Sequence, residues 1–273
     1  MPEFPYLQGG VARTVGVTGG ADSRGVVLTA NASANTKGTA VELVASTEFD
    51  ANWAFITLTD ASGGTSFLVD VMIGAATEQV IIPDLYMRSR AAGGGGPSFL
   101  FPIFIPRASR LTARCQASTG GSTIRISVTL VSGTLLSSGA PPAWVSAYGD
   151  VTTSQGTNVD PGATANTDSA WVQITAATDR THHWLCASGR FGDQSIAASM
   201  LWRLDIGIGA ATEQDLVPDI HITADVTTDN PYNGGFCLPC FIPAGSRLTA
   251  RARCSNNTDV DRDIYLKLYG AGD

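Results

Sequence analysis

Residues 70–85 read DVMIGAATEQVIIPDL, and residues 205–220 read DIGIGAATEQDLVPDI. Each copy is followed by an aromatic, proline-bearing run, FLFPIFIPRASRLTAR from Phe99 and FCLPCFIPAGSRLTAR from Phe236. A match this long and this ordered is not chance. The chain contains one unit twice, and a repeat has to be recognised before any other pattern is read.

The alignment extends outward in both directions. Ala34 to Trp53 matches Ala165 to Trp184 without a gap, at an offset of 165 − 34 = 131. By Asp70 and Asp205 the offset is 135, and by Pro106 and Pro243 it is 137. The added residues fall in stretches with turn chemistry, while apolar positions keep their spacing, as expected when two copies of one fold diverge in their loops.

Within each copy the apolar residues alternate, which is the period of strands. Phe67, Val69, Val71 and Ile73 share one face, and Trp202, Leu204, Ile206 and Ile208 take the same places in the second copy. Ile124, Ile126, Val128 and Leu130 alternate with Arg125, Ser127 and Thr129; Ile264, Leu266 and Leu268 alternate with Tyr265, Lys267 and Tyr269. Further strands are predicted near 40–45, 53–59, 80–87, 98–105 and 110–117. Seven or eight short strands per copy, with no amphipathic helix, need two sheets packed face to face to bury their apolar sides. The predicted fold is all-β, two tandem β-sandwich domains with jelly-roll-like connections, arising from internal duplication. Pro102 and Pro239 interrupt strand-like runs and place them at a sheet edge or a bulge.

The boundaries read as follows. Residues 1–22 lack periodicity and form an extended N-terminal arm or a disordered tail. Residues 23–130 are the first sandwich, the Ser-, Gly- and Pro-rich stretch 131–143 is a linker, and 144–273 is the second sandwich.

Composition narrows the function. The 273 residues carry a net charge of −7, which argues against nucleic acid or an anionic membrane as partner. No apolar run approaches the roughly 20 residues that span a bilayer. The first residues, MPEFPYLQGG, lack the basic start and apolar core of a signal peptide, so synthesis in a cytosol is expected. Five cysteines, an odd number, fit reduced thiols better than a disulfide framework.

Several constellations could carry chemistry. Cys237 and Cys240 form a C-x-x-C, half a metal site or a redox pair, but a separation of three along a strand sends them to opposite faces. Internal comparison is sharper: Cys237 replaces Leu100, Cys240 replaces Ile103 and Cys186 replaces Phe55, so these thiols are expected to be inert core residues. His182, His183 and His221 have no repeated acidic or cysteine partner and read as loop residues. Asp259, Asp261 and Asp263 have calcium-loop spacing without the glycine and later glutamate of that motif, and a solvated turn is the preferred reading. Glu78 and Glu213, with Asp84 and Asp219, could be acid/base pairs. Yet no nucleophile repeats with them, and a structural turn in which Glu or Thr satisfies backbone groups is preferred. Arg110 and Arg114, like Arg247 and Arg251, face outward and are candidates for pairing with a neighbouring subunit or with those acids. Gly93, Gly96, Tyr232 and Asn233 mark loops that could bind a sugar together with exposed aromatic rings. Trp53, Trp184 and Trp202 read as core instead. No catalytic, cofactor or metal residue is assigned.

The wording ANTKGTAVELVAST at 34–47, GAATEQVIIPDL at 74–85, the glycine-rich loop and FPIFIPRASRLTARCQAS at 101–118 resemble β-rich proteins encoded among the structural genes of tailed bacteriophages. That resemblance implies a non-enzymatic exterior virion protein made in the host cytoplasm, most simply a capsid cement or decoration protein that stabilises the shell. The major capsid protein or other virion proteins, and further copies of the chain in a trimer, are the implied partners. The alternative is a tail or head fibre adhesion module binding host surface glycans. A hydrolase using Glu78 or Glu213 as acid stands third.

Overall fold

A computed structural model of the chain describes residues 10–17, 24–75, 77–89, 95–133, 142–191, 200–209, 212–224, 233–256 and 262–272. None of the described residues is helical. The first copy supplies strands β1 (Ala12–Val15), β2 (Val26–Thr29), β3 (Val41–Val44), β4 (Ala51–Thr59), β5 (Ser66–Ile73), β6 (Gln79–Arg88), β7 (Gly95–Ile105), β8 (Leu111–Ala117) and β9 (Thr123–Val131). The second supplies β10 (Trp144–Tyr148), β11 (Thr157–Val159), β12 (Val172–Thr175), β13 (His182–Phe191), β14 (Met200–Ile208), β15 (Gln214–Ala224), β16 (Asn233–Ile242), β17 (Leu248–Cys254) and β18 (Ile264–Gly272).

The first copy pairs its strands as β1-β9-β4-β7, with β2 also on β9, and as β3-β8-β5-β6. The second repeats this as β10-β18-β13-β16, with β11 on β18, and β12-β17-β14-β15. All pairs are antiparallel. Two four-membered layers with this crossing order make a jelly roll. There are nine strands per copy, not the seven or eight expected, because one jelly-roll strand is interrupted. Strand β1 pairs with Val128–Val131 and β2 with Thr123–Ile126 of the same neighbour.

That pairing corrects the expected arm. Residues 12–15 belong to the first sandwich, held by Thr14 and Val15 against Thr129 and Val128. Only part of 1–22 is described, and residues 134–141 of the expected linker lie outside the described residues, while Val131 is still paired in β9. Pro102 and Pro239 sit on β7 and β16, both edge strands, where a missing N–H breaks no inner ladder.

The alternation works as the sequence requires. Ile124, Ile126, Val128 and Leu130 of β9 pack inward in the first core, and Ile264, Leu266 and Leu268 of β18 do so in the second. Trp202 is fully buried there, its indole N–H donating to the Arg262 carbonyl at 3.0 Å. The other face of β18 departs from expectation. Lys267 and Tyr269 are completely buried, because the outer face of their sheet is laid on the first copy.

A sandwich of this kind has an open side, where the edge strands of its two layers leave the core uncovered. In the first copy those edges are β6 and β7, and the second copy closes them with β10, β13 and β16. Tyr269 enters between the layers and meets Phe99 and Phe101 edge-on, at 6.3 and 5.7 Å between ring centres. Its hydroxyl accepts from the Tyr86 backbone N–H at 2.9 Å and donates to the Asp84 carbonyl at 3.0 Å. Ser188 Oγ donates to the Tyr86 carbonyl at 3.1 Å. Val145, Cys186 and Ala271 join the apolar core of the first copy, so one core runs across both copies. Trp53 and Trp184, equivalent residues, pack edge to face at 5.6 Å where the copies meet.

Two predictions follow from this seam. Tyr269→Phe leaves a buried N–H and a buried carbonyl without their partner, and should lower unfolding free energy by about 1–3 kcal/mol in urea titration. Lys267 is buried beside Gly149, to whose carbonyl its ammonium donates at 3.2 Å, and burial lowers its pKa from 10.5 to about 8. Between those values the unfolded chain keeps a proton that the folded chain has lost, so this group's contribution makes stability rise with pH. Below pH 8 the full penalty, on the order of 3 kcal/mol, is present. Burial also pushes the Cys115 thiol from 9.0 up to about 12, which acts in the opposite sense above pH 9. The expected readout is therefore a difference: Lys267→Met should be more stable than the natural chain at pH 7, with the gap narrowing toward pH 10.

Candidate functional site

The twice-written phrase is a turn and its fastenings. Gly74 and Gly209 have φ of 126° and 131°, and a Cβ on either would lie 2.4 or 2.6 Å from the carbonyl oxygen of Thr77 or Thr212. Only glycine fits there. Glu78 bonds a side chain across the turn. It accepts from Arg110 Nη1 at 2.9 Å, and the same guanidinium reaches the Gly74 carbonyl at 3.4 Å and Glu42 at 2.7 Å. In the second copy Arg247 bonds Glu213, the Gly209 carbonyl at 3.2 Å and Gln173 at 3.0 Å. The Arg247 bond holds the Glu213 carboxyl below the ordinary glutamate range.

The backbone role belongs to an aspartate that sequence reading passed over. Asp70 is buried on β5; its Oδ1 accepts from the Asp84 N–H at 3.0 Å and its Oδ2 from Arg114 Nε at 2.9 Å. Asp205 does the same for the Asp219 N–H at 2.7 Å and Arg251 at 2.8 Å. Asp84 and Asp219 sit at φ of 51° and 50°, at bulges where β6 and β15 slip register against their neighbours. A carboxylate that fastens this left-handed residue explains why both aspartates of the phrase recur at a separation of fourteen.

The copies differ by an exchange of charge around this frame. Lys37 bridges Asp70 at 2.6 Å and Asp84 at 2.8 Å in the first copy. Its counterpart is Asp168, and the counterpart of Gln116 is Arg253, which now reaches Asp219 at 2.6 Å and Asp168 at 3.4 Å. The cation has moved from the loop before β3 to β17 while its carboxylate partner has stayed. The four arginines expected at the surface thus find their acids within their own sandwich. With the repeated glutamates and aspartates held this way, the phrase builds structure in both copies.

The cysteines need a correction. Cys186 and Cys237 form a disulfide, their Cα atoms 4.0 Å apart in directly opposed positions of β13 and β16. Cys115, Cys240 and Cys254 are free. Each had been matched correctly with an apolar residue, but Phe55 and Leu100 are themselves cross-strand partners, so replacing both places two thiols face to face. The C-x-x-C residues do point to opposite sides, Cys237 toward the first core and Cys240 toward the second.

The histidines are also misplaced by sequence reading: all three lie on strands. His183 sits by Phe241 and His221 is exposed, while His182 is fully buried. Its Nε2 lies 2.6 Å from the Tyr148 hydroxyl, which is 2.5 Å from Asp179 Oδ1, and Ser146 Oγ donates to Asp179 Oδ2 at 2.8 Å. Burial lowers the His182 pKa, and the Tyr148 and Ser146 bonds lower that of Asp179. Ser146, Tyr148 and Asp179 line a groove of about 550 Å³ between β10 and β6, where the Arg180 guanidinium covers the Trp144 ring at 4.4 Å. Of this cluster the sequence had singled out only His182, as a loop residue. The first copy has Glu48 and Ala51 where the second has Asp179 and His182, so a comparison of copies alone hides a cluster present once.

The remaining sequence candidates divide simply. Gly96 lies in β7, where a Cβ would meet the Leu58 carbonyl at 2.2 Å and the Met87 sulfur at 2.7 Å, so it is a packing glycine and not a loop tip. Asn233 opens β16 opposite Arg190. Gly93, Tyr232, Asp259 and Asp261 lie outside the described residues; Asp263 accepts from Asn158 at 2.9 Å. Among the described residues no three His, Cys, Asp or Glu converge to hold a metal ion.

No protein-family model matches the chain, and no curated protein matches it in sequence. Among solved structures, the tandem CBM22-1–CBM22-2 domains of Paenibacillus barcinonensis Xyn10C align over 97% of this chain and 92% of theirs, at 8% identity and a TM-score of 0.30. PNGase F, a glycosylasparaginase from Flavobacterium meningosepticum, aligns over 97% and 96% at 9% identity and a TM-score of 0.31. The structure of broad bean stain virus aligns over 96% and 87%, also at 9% and 0.31. At these scores nothing about activity or partners carries over.

Asp70→Ala should be the most damaging change in the phrase. It removes one of the two carboxylates on Lys37 and the partner of Arg114 Nε and the Asp84 N–H, and a loss of about 3 kcal/mol in urea unfolding is expected. Glu78→Gln, half-exposed, should change stability by less than about 1 kcal/mol.

Proposed function

We propose that the chain is a non-enzymatic structural protein of a virion exterior, a cement or decoration protein that holds a shell of major capsid protein together. The single observation behind this reading is the shared core. Two jelly rolls joined by a flexible linker would act as independent binding modules; here the second is sealed onto the first by Tyr269, Ser188 and a disulfide-bearing sheet face. Such a body presents its surfaces at fixed spacing and angle, which suits contact with a repeating lattice. The recurrence of turn fastenings, with the charged residues of the phrase consumed by them, supports holding in preference to turnover.

A second reading has one observation in its favour. The groove beside Trp144 brings an aromatic ring, Asp179 and Arg180 together, a combination that can bind a sugar by stacking and hydrogen bonding. A host glycan would have to displace Arg180 from the ring, which makes this the weaker reading of the two.

The test is made on purified particles. In the cement reading the chain co-purifies with intact shells at a regular copy number, occupies symmetry-related positions in particle images, and raises the temperature at which shells burst. Its absence from purified particles would overturn the reading. Glycan binding lost on Trp144→Ala, without particle association, would favour the second.

A further inference from the structure

The seam between the copies uses one sheet face and one open edge, and each copy owns both. The second copy contributes the face and the first contributes the edge. Among the described residues, that leaves the first copy's face beyond Trp53, which already meets Trp184, and the second copy's edge without a partner.

Both show it. On the outer face of the first copy, Phe55 and Leu100 stand 40% and 43% exposed, although their counterparts are the Cys186–Cys237 pair covered by the seam. At the second copy's edge, Leu238 is 38% exposed where its counterpart Phe101 is fully buried under Tyr269. Leu216, Val217 and Ile220 on β15 are half-exposed where Ile81, Ile82 and Leu85 on β6 are buried. Exposed apolar residues grouped this way mark an interaction surface, while scattered ones do not.

We propose that a second copy of this chain fills each surface: the β4/β7 outer face of one molecule packs over the β15/β16 edge of the next, repeating the seam that joins the two halves. The occupant is set by continuity with an interface the chain already uses. Counterpart for counterpart, Thr129 of one molecule would take Tyr269's place against Phe236 and Leu238 of the next, and the turn backbone around Asp219 offers the same conformation as that around Asp84. A smaller side chain at the plug position makes the contact between molecules weaker than the one within the chain, as a reversible assembly needs. Face and edge are different surfaces, so the contact is head-to-tail. It ends in a closed ring, the smallest being two copies that each cover the other's edge, or in an open filament. The inference stands apart from the particle assignment: a chain that assembles this way but never joins particles would overturn that assignment and leave this one.

Sedimentation of the purified full-length chain across a concentration series tests it. Mass should climb above the monomer as concentration rises. Phe55→Asp and Leu238→Asp should each be folded monomers by circular dichroism, each losing self-association at least about tenfold. Mixed one to one they should form a dimer and stop there, since each variant retains the surface the other has lost. Thr129→Tyr should tighten assembly by restoring the plug. A natural chain still monomeric at about 1 mM, self-association unchanged in Phe55→Asp or Leu238→Asp, a mixture that stays monomeric, or a Thr129→Tyr chain that assembles less well would each overturn the proposal.

Discussion

A β-sandwich is closed on its two outer faces by hydrogen-bonded sheet but remains open along the side where its edge strands part. In this chain the open side of the first jelly roll is closed by the second, and Tyr269 is the closing piece. Its ring fills the gap between β6 and β7, and its hydroxyl satisfies a backbone donor and acceptor that are buried by the same contact. Burying those groups without a partner would be unfavourable by more than the apolar contact alone could offset. The two halves are therefore one folded unit with one continuous core.

That seam explains how the copies have diverged. Positions inside each sandwich keep their apolar character, and the turn phrase keeps its glycine, glutamate and both aspartates. The face that the second copy lays on the first has instead changed its chemistry: Ser127 corresponds to Lys267, Thr129 to Tyr269, and Phe55 with Leu100 to the disulfide pair. Substitution is concentrated where the environments differ, with solvent over one face and protein over the other. The exchange of Lys37 and Gln116 for Asp168 and Arg253 obeys a different rule: the cation lost from Asp84's counterpart is replaced by Arg253, which pairs Asp219. Asp70 and Asp205 are held constant because each fastens a left-handed residue that the bulge demands.

Much of this could be read before any coordinates. Period-two alternation located the strands, the prolines located the edges, and the repeat required two equivalent domains. The candidate sites were less legible. Asp70 was inside the quoted phrase, yet its importance depends on a hydrogen bond to a residue fourteen positions away, across a bulge that no local pattern announces. His182 read as a loop residue because no acidic or cysteine partner repeats with it; its partners are Tyr148 on β10 and Asp179 in the turn before β13. The disulfide was hidden by a correct alignment, since matching Cys186 with Phe55 and Cys237 with Leu100 says nothing of the two positions being opposed across strands.

The amino-acid sequence by itself determined an all-β chain, two copies of one jelly roll, and the residues each core would bury, because alternation and turn chemistry act between near neighbours. Only the tertiary structure decided which outer face would meet solvent. A strand pattern names two faces without saying what lies beyond either, and Lys267, Tyr269 and the joined cysteines took their meaning from a second domain docked against them.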